Sequence, residues 1–399
     1  MGYTNSADVL ALRIEDDREV SKPSCLLILI YKTNGAAANS WAGGPMLYRV
    51  SLKLWNLHLF SSGAFSNVYR GFVISDTNVP KEIVIKKTWS GPREASALTC
   101  YEIQILKMLS RLNHKNVIRL LYSYRTRYSD NTCYSLIFEF FPLNLYQYLK
   151  KFNRKIGLVE TKMFAWQLFR GQYHLLRAGI CHRDIKPQNL LIDEESGLLK
   201  IGDFGSSAVE PRKAPQPSYH VTRYYRPPEL LLGAKIYGCE VDIWSSACVF
   251  GEMLRGAVLF PGKNTFNQLE LYIDCFGLPT DNDADSMNAS KRKWKELKSI
   301  LPNTKDCPAE AISILEQMLV YMPTRRLHGT QLLCDPFFKD LFDKNTRRPS
   351  GKPIGCLSSA VSGCTYIHTY IDNTSETINS VQDVNEVLSG DVSMTGSIQ

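Results

Sequence analysis

Three side chains of the types that phosphoryl transfer needs lie in one short stretch, residues 182–189, with the sequence His-Arg-Asp-Ile-Lys-Pro-Gln-Asn. Asp184 offers a carboxylate that can orient an attacking hydroxyl, and Lys186 offers a cation for the moving phosphoryl group. Asn189 offers an amide oxygen for a metal ion, and Asp203, in an Asp-Phe-Gly triplet, offers a metal-binding carboxylate. The order and spacing of these groups predict a catalytic loop that acts on a nucleotide with a divalent cation.

A short hairpin is predicted between the two metal ligands. Leu190-Leu191-Ile192-Asp193 and Leu199-Lys200-Ile201 are apolar runs separated by an acidic turn that contains glycine. Such a pattern is typical of two paired strands. The hairpin would place Asn189 and Asp203 close together.

A lysine for the nucleotide phosphates is predicted at the end of Ile83-Val84-Ile85-Lys86. The alternation of this buried strand places Lys86, rather than Lys87, on the inward side. Its carboxylate partner should come from the next helix, where Glu102 begins an amphipathic run and Glu94 is the alternative.

A phosphate-binding loop is predicted at residues 60–69, Phe-Ser-Ser-Gly-Ala-Phe-Ser-Asn-Val-Tyr. Such loops normally carry three glycines, because bare backbone amides must approach the phosphates closely. Here only Gly63 remains, with Ser61 and Ser66 in the flanking positions. We expect weaker or slower nucleotide binding rather than its loss.

The change from strand-rich to helix-rich sequence at Pro142 predicts an α+β fold with two lobes. Strands are expected at Val117–Leu120 and Tyr134–Phe138, and helical spacing precedes the catalytic loop. The predicted organisation is a mostly irregular extension at 1–50 with a strand at 25–31, an N-lobe at 51–141, a C-lobe at 142–343 and a disordered tail at 344–399. In the C-lobe, Glu229 should be buried and paired with Arg326.

Composition narrows the class of protein. The 399 residues carry a formal charge of +8 with scattered basic residues, which disfavours a nucleic-acid binder. The 11 cysteines are irregularly spaced, which disfavours zinc and disulfides and favours a reducing compartment. The cysteines thus favour the cytoplasm, and stable membrane insertion is not expected. We also expect the protein to reach the nucleus and to be a monomer.

Residues 52–343 resemble the eukaryotic protein kinases, and within them the branch of the cyclin-dependent, mitogen-activated and glycogen synthase kinase 3 families. Glycogen synthase kinase 3 fits best. The segments that carry the resemblance are Tyr101-Glu-Ile-Gln-Ile, His182-Arg-Asp-Ile-Lys-Pro-Gln-Asn-Leu-Leu, Asp203-Phe-Gly-Ser-Ser-Ala, Ser218-Tyr-His-Val-Thr-Arg-Tyr-Tyr-Arg and Leu259-Phe-Pro-Gly.

This resemblance implies a bilobal kinase fold and transfer of the ATP γ-phosphate to serine or threonine of protein substrates, with Mg²⁺. Asp184, Lys186, Lys86 and Glu102 would be catalytic, and Asn189 and Asp203 would hold the metal. The residues implied at the nucleotide are Phe60, Gly63, Phe65, Val68, Val84, Lys86, Phe138, Glu139, Phe141, Gln188, Asn189, Leu191 and Asp203. Docking proteins would bind the larger lobe near residues 259–300.

Two regulatory residues are implied: Tyr219 in the activation segment, which follows Asp203 and ends at Glu229, and Arg183 in the catalytic loop. A phosphate on Tyr219 could pair with basic groups and order the substrate platform, although Tyr219 could instead simply be packed. The family reads a phosphate already present on the substrate through three basic side chains, and those positions hold Tyr101, Arg183 and Ala208 here. We expect this preference to be lost or strongly weakened.

Three functions remain open on the sequence. The complete catalytic set favours an active kinase over a pseudokinase or scaffold that keeps the fold with little turnover. An enzyme that phosphorylates small molecules is the third, and the segment from Thr222 to Glu229 disfavours it because it resembles a peptide platform.

Overall fold

The computed structural model describes residues 24–32, 46–63, 66–73, 80–89, 93–128, 131–216, 221–280, 300–301 and 307–357. The described residues form two compact units. The first takes its residues from 1–111 and 119–140, and the second from 112–118 and 141–399.

A six-stranded sheet and one helix make up the first unit. Along the chain these are β1 (Ser24–Lys32), β2 (Met46–Ser62), β3 (Ser66–Val73), β4 (Glu82–Trp89), helix α1 (Arg93–Leu112), β5 (Leu120–Tyr128) and β6 (Asn131–Glu139). The spatial order is β1-β2-β3-β4-β6-β5, and all neighbours are antiparallel. The strand predicted at 25–31 is confirmed as β1.

Alternation along the central strands divides the sheet into two faces. Ile83 and Ile85 of β4 pack with Leu54 and Ile137 in the buried core of one face. Because side chains alternate along a strand, Val84 and Lys86 lie on the opposite face. The sequence therefore positions Lys86 by its spacing from the core residues.

The strand predicted at Val117–Leu120 is wrong in its position. β5 begins only at Leu120, and Val117 makes an isolated parallel bridge with Ile201. The Ile118 N–H also donates to the Ile201 carbonyl at 2.9 Å. These apolar residues are therefore held by the second unit rather than by the sheet.

The second unit is mainly helical. Its elements are β7 (Leu143–Asn144), α2 (Leu145–Lys151), α3 (Leu158–Arg177), β8 (Ile180–Cys181), β9 (Leu190–Asp193), β10 (Leu198–Ile201), β11 (Ala208–Val209), α4 (Pro228–Leu231), α5 (Glu240–Arg255), α6 (Thr265–Phe276), α7 (Ala309–Met318) and α8 (Gly329–Leu333). Short 3₁₀ turns lie at Pro187–Asn189, Pro211–Lys213, Arg223–Tyr225, Pro323–Arg325 and Pro336–Phe342. The predicted hairpin is confirmed as antiparallel β9 and β10.

Helices α3 and α5 form the centre of the second unit. Phe169 of α3 meets Phe250 of α5 edge to face, with ring centroids 5.7 Å apart. Near them, Arg326 makes a bidentate pair with Glu229 at 2.8 and 2.7 Å, and both residues are buried. The predicted Glu229–Arg326 pair is confirmed.

The prediction of a disordered tail from residue 344 does not hold for residues 344–357. Arg348 is buried, and it donates to Glu160 at 3.2 Å and to the Glu194 carbonyl at 3.0 Å. Leu357 is also buried. A buried ion pair and apolar contacts therefore hold this segment against the second unit, whereas residues 358–399 lie outside the described part.

The α+β class and the sheet-plus-helical-body architecture are confirmed. None of the described helices combines the length and apolar character needed to cross a bilayer. The division into extension, lobes and tail otherwise stays a prediction.

Candidate active site

The loop that carries Asp184 is anchored by a buried carboxylate. Asp242, in the first turn of α5, accepts the backbone N–H of His182 at 2.6 Å and that of Arg183 at 2.9 Å. Burial raises the pKa of Asp242, while His182 and the two backbone donors act in the opposite direction. Asp242 thus fixes the backbone next to the predicted catalytic carboxylate.

His182 links the loop to the residue before Asp203. Its Nδ1 faces the Asp184 N–H at 3.2 Å and its Nε2 faces the Gly202 carbonyl at 2.9 Å. These partners assign the proton to Nε2. The ring also packs edge to face on Phe204, which is buried, at 4.9 Å between centroids. Asp184 and Asp203 are therefore positioned by one histidine.

Within the described part of the chain, three side chains donate hydrogen bonds to the carboxylate of Asp184. Lys186 Nζ lies 2.7 Å and Asn189 Nδ2 lies 2.9 Å from Oδ2. The hydroxyl of Thr222 donates to Oδ1 at 2.8 Å, and Lys186 also donates to that hydroxyl at 3.1 Å. A carboxylate has about four acceptor positions, so one remains for a substrate hydroxyl.

Asn189 and Asp203 have the chemistry of Mg²⁺ ligands. Both hydrogen bonds of the Asn189 side chain within the described residues use its amide nitrogen, which leaves the amide oxygen for a metal. Asp203 is exposed and has a left-handed φ of 60°. The described residues contain no group of three or more His, Cys, Asp or Glu that could hold a metal. An amide oxygen and a carboxylate are ligand types that suit Mg²⁺, which usually keeps few protein ligands and binds substrate phosphates.

In the first unit, Lys86 pairs with Glu102 of α1. The distance from Lys86 Nζ to Glu102 Oε1 is 2.9 Å, and the Glu102 side chain is 5% exposed. The low exposure means that the pair is little screened by solvent. Of the two carboxylates considered from the sequence, the structure pairs Glu102 with the lysine.

The predicted nucleotide residues of the first unit lie on neighbouring strands. Val68 is opposite Lys86, Val84 is opposite Phe138, and Ile83 is opposite Glu139. Phe138 is 9% exposed. The side chains of Val84 and Phe138 lie directly opposite each other on one face and therefore form a cross-strand pair.

The loop between β2 and β3 is only partly described. The Gly63 N–H donates to the Ser66 carbonyl at 2.9 Å, so the hairpin itself uses this amide. Phe60 is 44% exposed and meets Phe140 edge to face at 5.6 Å. Phe65 lies outside the described residues.

The remaining predicted nucleotide residues belong to the second unit. Leu191 lies in β9, Gln188 is exposed, and Lys200 Nζ lies 5.8 Å from the ring centre of Phe141. A Cβ on Gly202 would meet Leu191 Cδ1 at 3.0 Å. The missing side chain of Gly202 is therefore needed for the close approach of Leu191.

Arg183, predicted to be regulatory, binds neutral oxygen atoms. Its Nε donates to the Ser206 carbonyl and its Nη2 to the Ser207 carbonyl at 3.1 Å. Its Nη1 donates to Gln216 Oε1 at 2.8 Å and to the Tyr237 hydroxyl at 3.4 Å. Tyr219 lies outside the described residues.

Sequence reasoning missed Thr222, Asp242 and Gln216 as parts of the site. Thr222 lies within a segment that carries the family resemblance, whereas Asp242 does not. Their contacts join residues separated by 38 and 60 positions, and spacing within a motif gives no signal for such distant pairs.

Comparison with known proteins gives consistent matches. The family model described as "Protein kinase domain" matches residues 56–338. The chain is 37% identical over 268 residues to protein kinase gsk3 of Schizosaccharomyces pombe, covering 63% of this chain and 68% of the relative. It is 34% identical over 292 residues to glycogen synthase kinase 3 of Trypanosoma brucei brucei, covering 70% and 82%. It is 38% identical over 288 residues to serine/threonine-protein kinase RIM11/MSD1 of Saccharomyces cerevisiae, covering 70% and 75%.

Proposed function

The chain belongs to the protein kinase family, among the glycogen synthase kinase 3-like serine/threonine kinases. On this premise we propose that it is an active kinase. We also propose that it does not depend on a phosphate already present on its substrate. The family assignment rests on the matched domain and on the relatives. Protein kinases use ATP and Mg²⁺. The residues assigned to each step below are part of the proposal.

The contact set of Asp184 carries the proposal of activity. Lys186, Asn189 and Thr222 hold the carboxylate from both oxygens. In the proposed reaction Asp184 orients the hydroxyl of the substrate, and Lys186 stabilises charge on the phosphoryl group. Lys86, oriented by Glu102, binds the nucleotide phosphates.

Asn189 and Asp203 would hold the metal ion. When bound, Mg²⁺ neutralises charge on the phosphates. Asn189 has a second task, because its amide nitrogen holds Asp184.

The hydrogen-bond acceptors around Arg183 support the proposal that the kinase does not need a phosphate already present on its substrate. Four of the five N–H groups of its guanidinium already donate to protein oxygens. Ala208 is buried in β11 and has no charge to offer. A dianionic phosphate would therefore meet one cation whose donors are largely used.

A pair of acceptor peptides tests this proposal. The two peptides differ only in a phosphoserine four residues C-terminal to the target serine, and wild type is compared with Asp184→Asn. We expect transfer to both peptides at rates within about tenfold, which corresponds to 1.4 kcal/mol, and loss of transfer in the variant. A larger advantage for the phosphopeptide would contradict independence from the prior phosphate.

A pseudokinase or scaffold is the second candidate. Ser61 and Ser66 stand where glycines are usual, and the Gly63 amide is used within the hairpin. Equal phosphate incorporation by wild type and Asp184→Asn would favour this candidate.

We also propose a cytoplasmic location, with access to the nucleus. The cysteines among the described residues that are assigned as free thiols, Cys133, Cys181, Cys239, Cys248, Cys275, Cys307, Cys334 and Cys356, suit a reducing compartment. Imaging of the tagged full-length protein tests this location.

A further inference from the structure

We propose that Gln216 takes the place of an activating phosphate: through Arg183 it holds the activation segment in position, so that this kinase works without phosphorylation of that segment. This inference rests on the proposed kinase activity. Gln216 is a positioning residue, because it acts through Arg183 rather than on a substrate.

Arg183 joins three separate parts of the second unit. Its guanidinium contacts the carbonyls of Ser206 and Ser207 after Asp203, the side chain of Gln216, and the hydroxyl of Tyr237 before α5. Arg183 is 5% exposed. A buried cation must be satisfied by hydrogen bonds, and Gln216 supplies a side-chain acceptor from the activation segment in addition to the two serine carbonyls.

The amide of Gln216 is itself oriented. Its backbone N–H donates to the Lys235 carbonyl at 2.6 Å, and its Nε2 donates to the Ala214 carbonyl at 3.3 Å. With the nitrogen used in this way, Oε1 faces the guanidinium of Arg183 at 2.8 Å. The network of donors and acceptors thus assigns the oxygen to the side of Arg183.

Gln216 and Thr222 each bind one of two adjacent residues of the catalytic loop. Gln216 accepts a hydrogen bond from Arg183 at 2.8 Å, and Thr222 donates one to Asp184 at 2.8 Å. These two contacts hold both residues in a defined position beside the loop. An added phosphate would normally supply this order through new bonds to arginine.

The inference is tested on the full chain after phosphatase treatment, with removal of phosphate verified by intact-protein mass. Peptide phosphorylation is measured for wild type, Gln216→Ala and Gln216→Glu. Gln317→Ala is the matched control, because Gln317 is exposed on α7 and, among the described residues, its side chain bonds only to Ser313. Melting temperatures are measured for all four proteins.

Dephosphorylated wild type is expected to keep at least half of its kcat/KM for the peptide. Gln216→Ala is expected to lose about tenfold in kcat/KM for the peptide while its KM for ATP changes less than twofold. Gln216→Glu, which keeps an oxygen for Arg183, is expected to stay within threefold of wild type, and Gln317→Ala to match wild type. A merely structural role would lower the melting temperature and alter both substrates together.

Two results would overturn the inference. One is a loss of more than tenfold in wild-type activity on dephosphorylation, and the other is unchanged peptide kinetics in Gln216→Ala. These results are distinct from a failure of the proposed kinase activity. In that case the wild-type protein would transfer no phosphate even before phosphatase treatment.

Discussion

The hydroxyl of Thr222 lies 2.8 Å from Oδ1 of Asp184, and it also accepts a hydrogen bond from Lys186 at 3.1 Å. This threonine comes from the segment that would face the substrate, whereas both partners belong to the catalytic loop. The arrangement of the Asp184 carboxylate, the proposed catalytic group, therefore depends on the position of Thr222.

Thr222→Val is expected to lower kcat about tenfold. Valine keeps the shape of threonine but removes the hydrogen bonds to Asp184 and Lys186, and a bond to a charged group contributes about 1.5 to 3 kcal/mol. Steady-state kinetics should show a KM for ATP within about twofold of wild type. Thr222→Ser, which keeps the hydroxyl, should retain most of the activity. An unchanged kcat in Thr222→Val would show that Asp184 is positioned without it.

Val84→Ala is expected to lower the KM for ATP about threefold. Val84 lies directly opposite the bulky Phe138 on the face that carries Lys86, so a smaller side chain would leave more room at the proposed nucleotide site. Ile85→Val is the control, because Ile85 is buried on the other face of the same strand. An unchanged KM in Val84→Ala would place the nucleotide away from this pair, and a raised KM would show that Val84 aids binding rather than limiting it.

Acid is expected to destabilise the second unit through His114 and His174. Their rings stack with centroids 4.4 Å apart. Burial, and then nearby arginines, lowers the pKa of His174 to about 4. Burial, and then His174, places the pKa of His114 well below its usual value.

Stability falls as the pH falls because the unfolded chain takes up protons more readily than the folded protein. Unfolded histidine binds a proton near pH 6.5, while His174 stays neutral in the fold until about pH 4. Its contribution to stability is thus complete above pH 6.5 and is lost as the pH falls toward 4. Urea unfolding should show that the free energy of unfolding falls by about 2 kcal/mol between pH 7 and pH 5 because of His174. In His174→Phe this contribution to the pH dependence should be absent. An equal pH dependence in wild type and His174→Phe would contradict this assignment.

Glu229→Gln is expected to destabilise the protein by about 3 to 5 kcal/mol, because it leaves the buried guanidinium of Arg326 without its counter-charge. Both side chains are almost fully buried, with 7% exposure for Glu229 and 0% for Arg326. Glu195→Gln is the matched control: Glu195 pairs with Lys352 but its side chain is 82% exposed, so its loss should cost less than about 1 kcal/mol. Chemical denaturation compares the two variants. If both variants lose the same free energy of unfolding, burial does not determine how much these ion pairs contribute to stability.

The local motifs predicted much of the site. Lys86 was placed inward by strand alternation, and the β9–β10 hairpin followed from two apolar runs, because both features depend on neighbouring residues. The ion pairs Lys86–Glu102 and Glu229–Arg326 could be predicted because a buried charged side chain needs a nearby partner of opposite charge.

Long-range contacts explain what sequence reasoning missed. Val117 and Ile118 have the composition of a strand, but their backbone partner is Ile201 of the second unit. The contacts of Thr222 and Gln216 with the catalytic loop depend on how the activation segment folds back. No local pattern reports that fold, so these residues had no recognisable signal.

Arg348 sets a practical limit on how the chain can be shortened. The matched kinase domain ends at residue 338, yet Arg348 supplies the cation for Glu160, which lies almost wholly inside the protein. A recombinant version cut at the domain match would leave that carboxylate buried without its counter-charge and uncover apolar surface beneath Leu357. Expression boundaries chosen for crystallisation should therefore extend through residue 357.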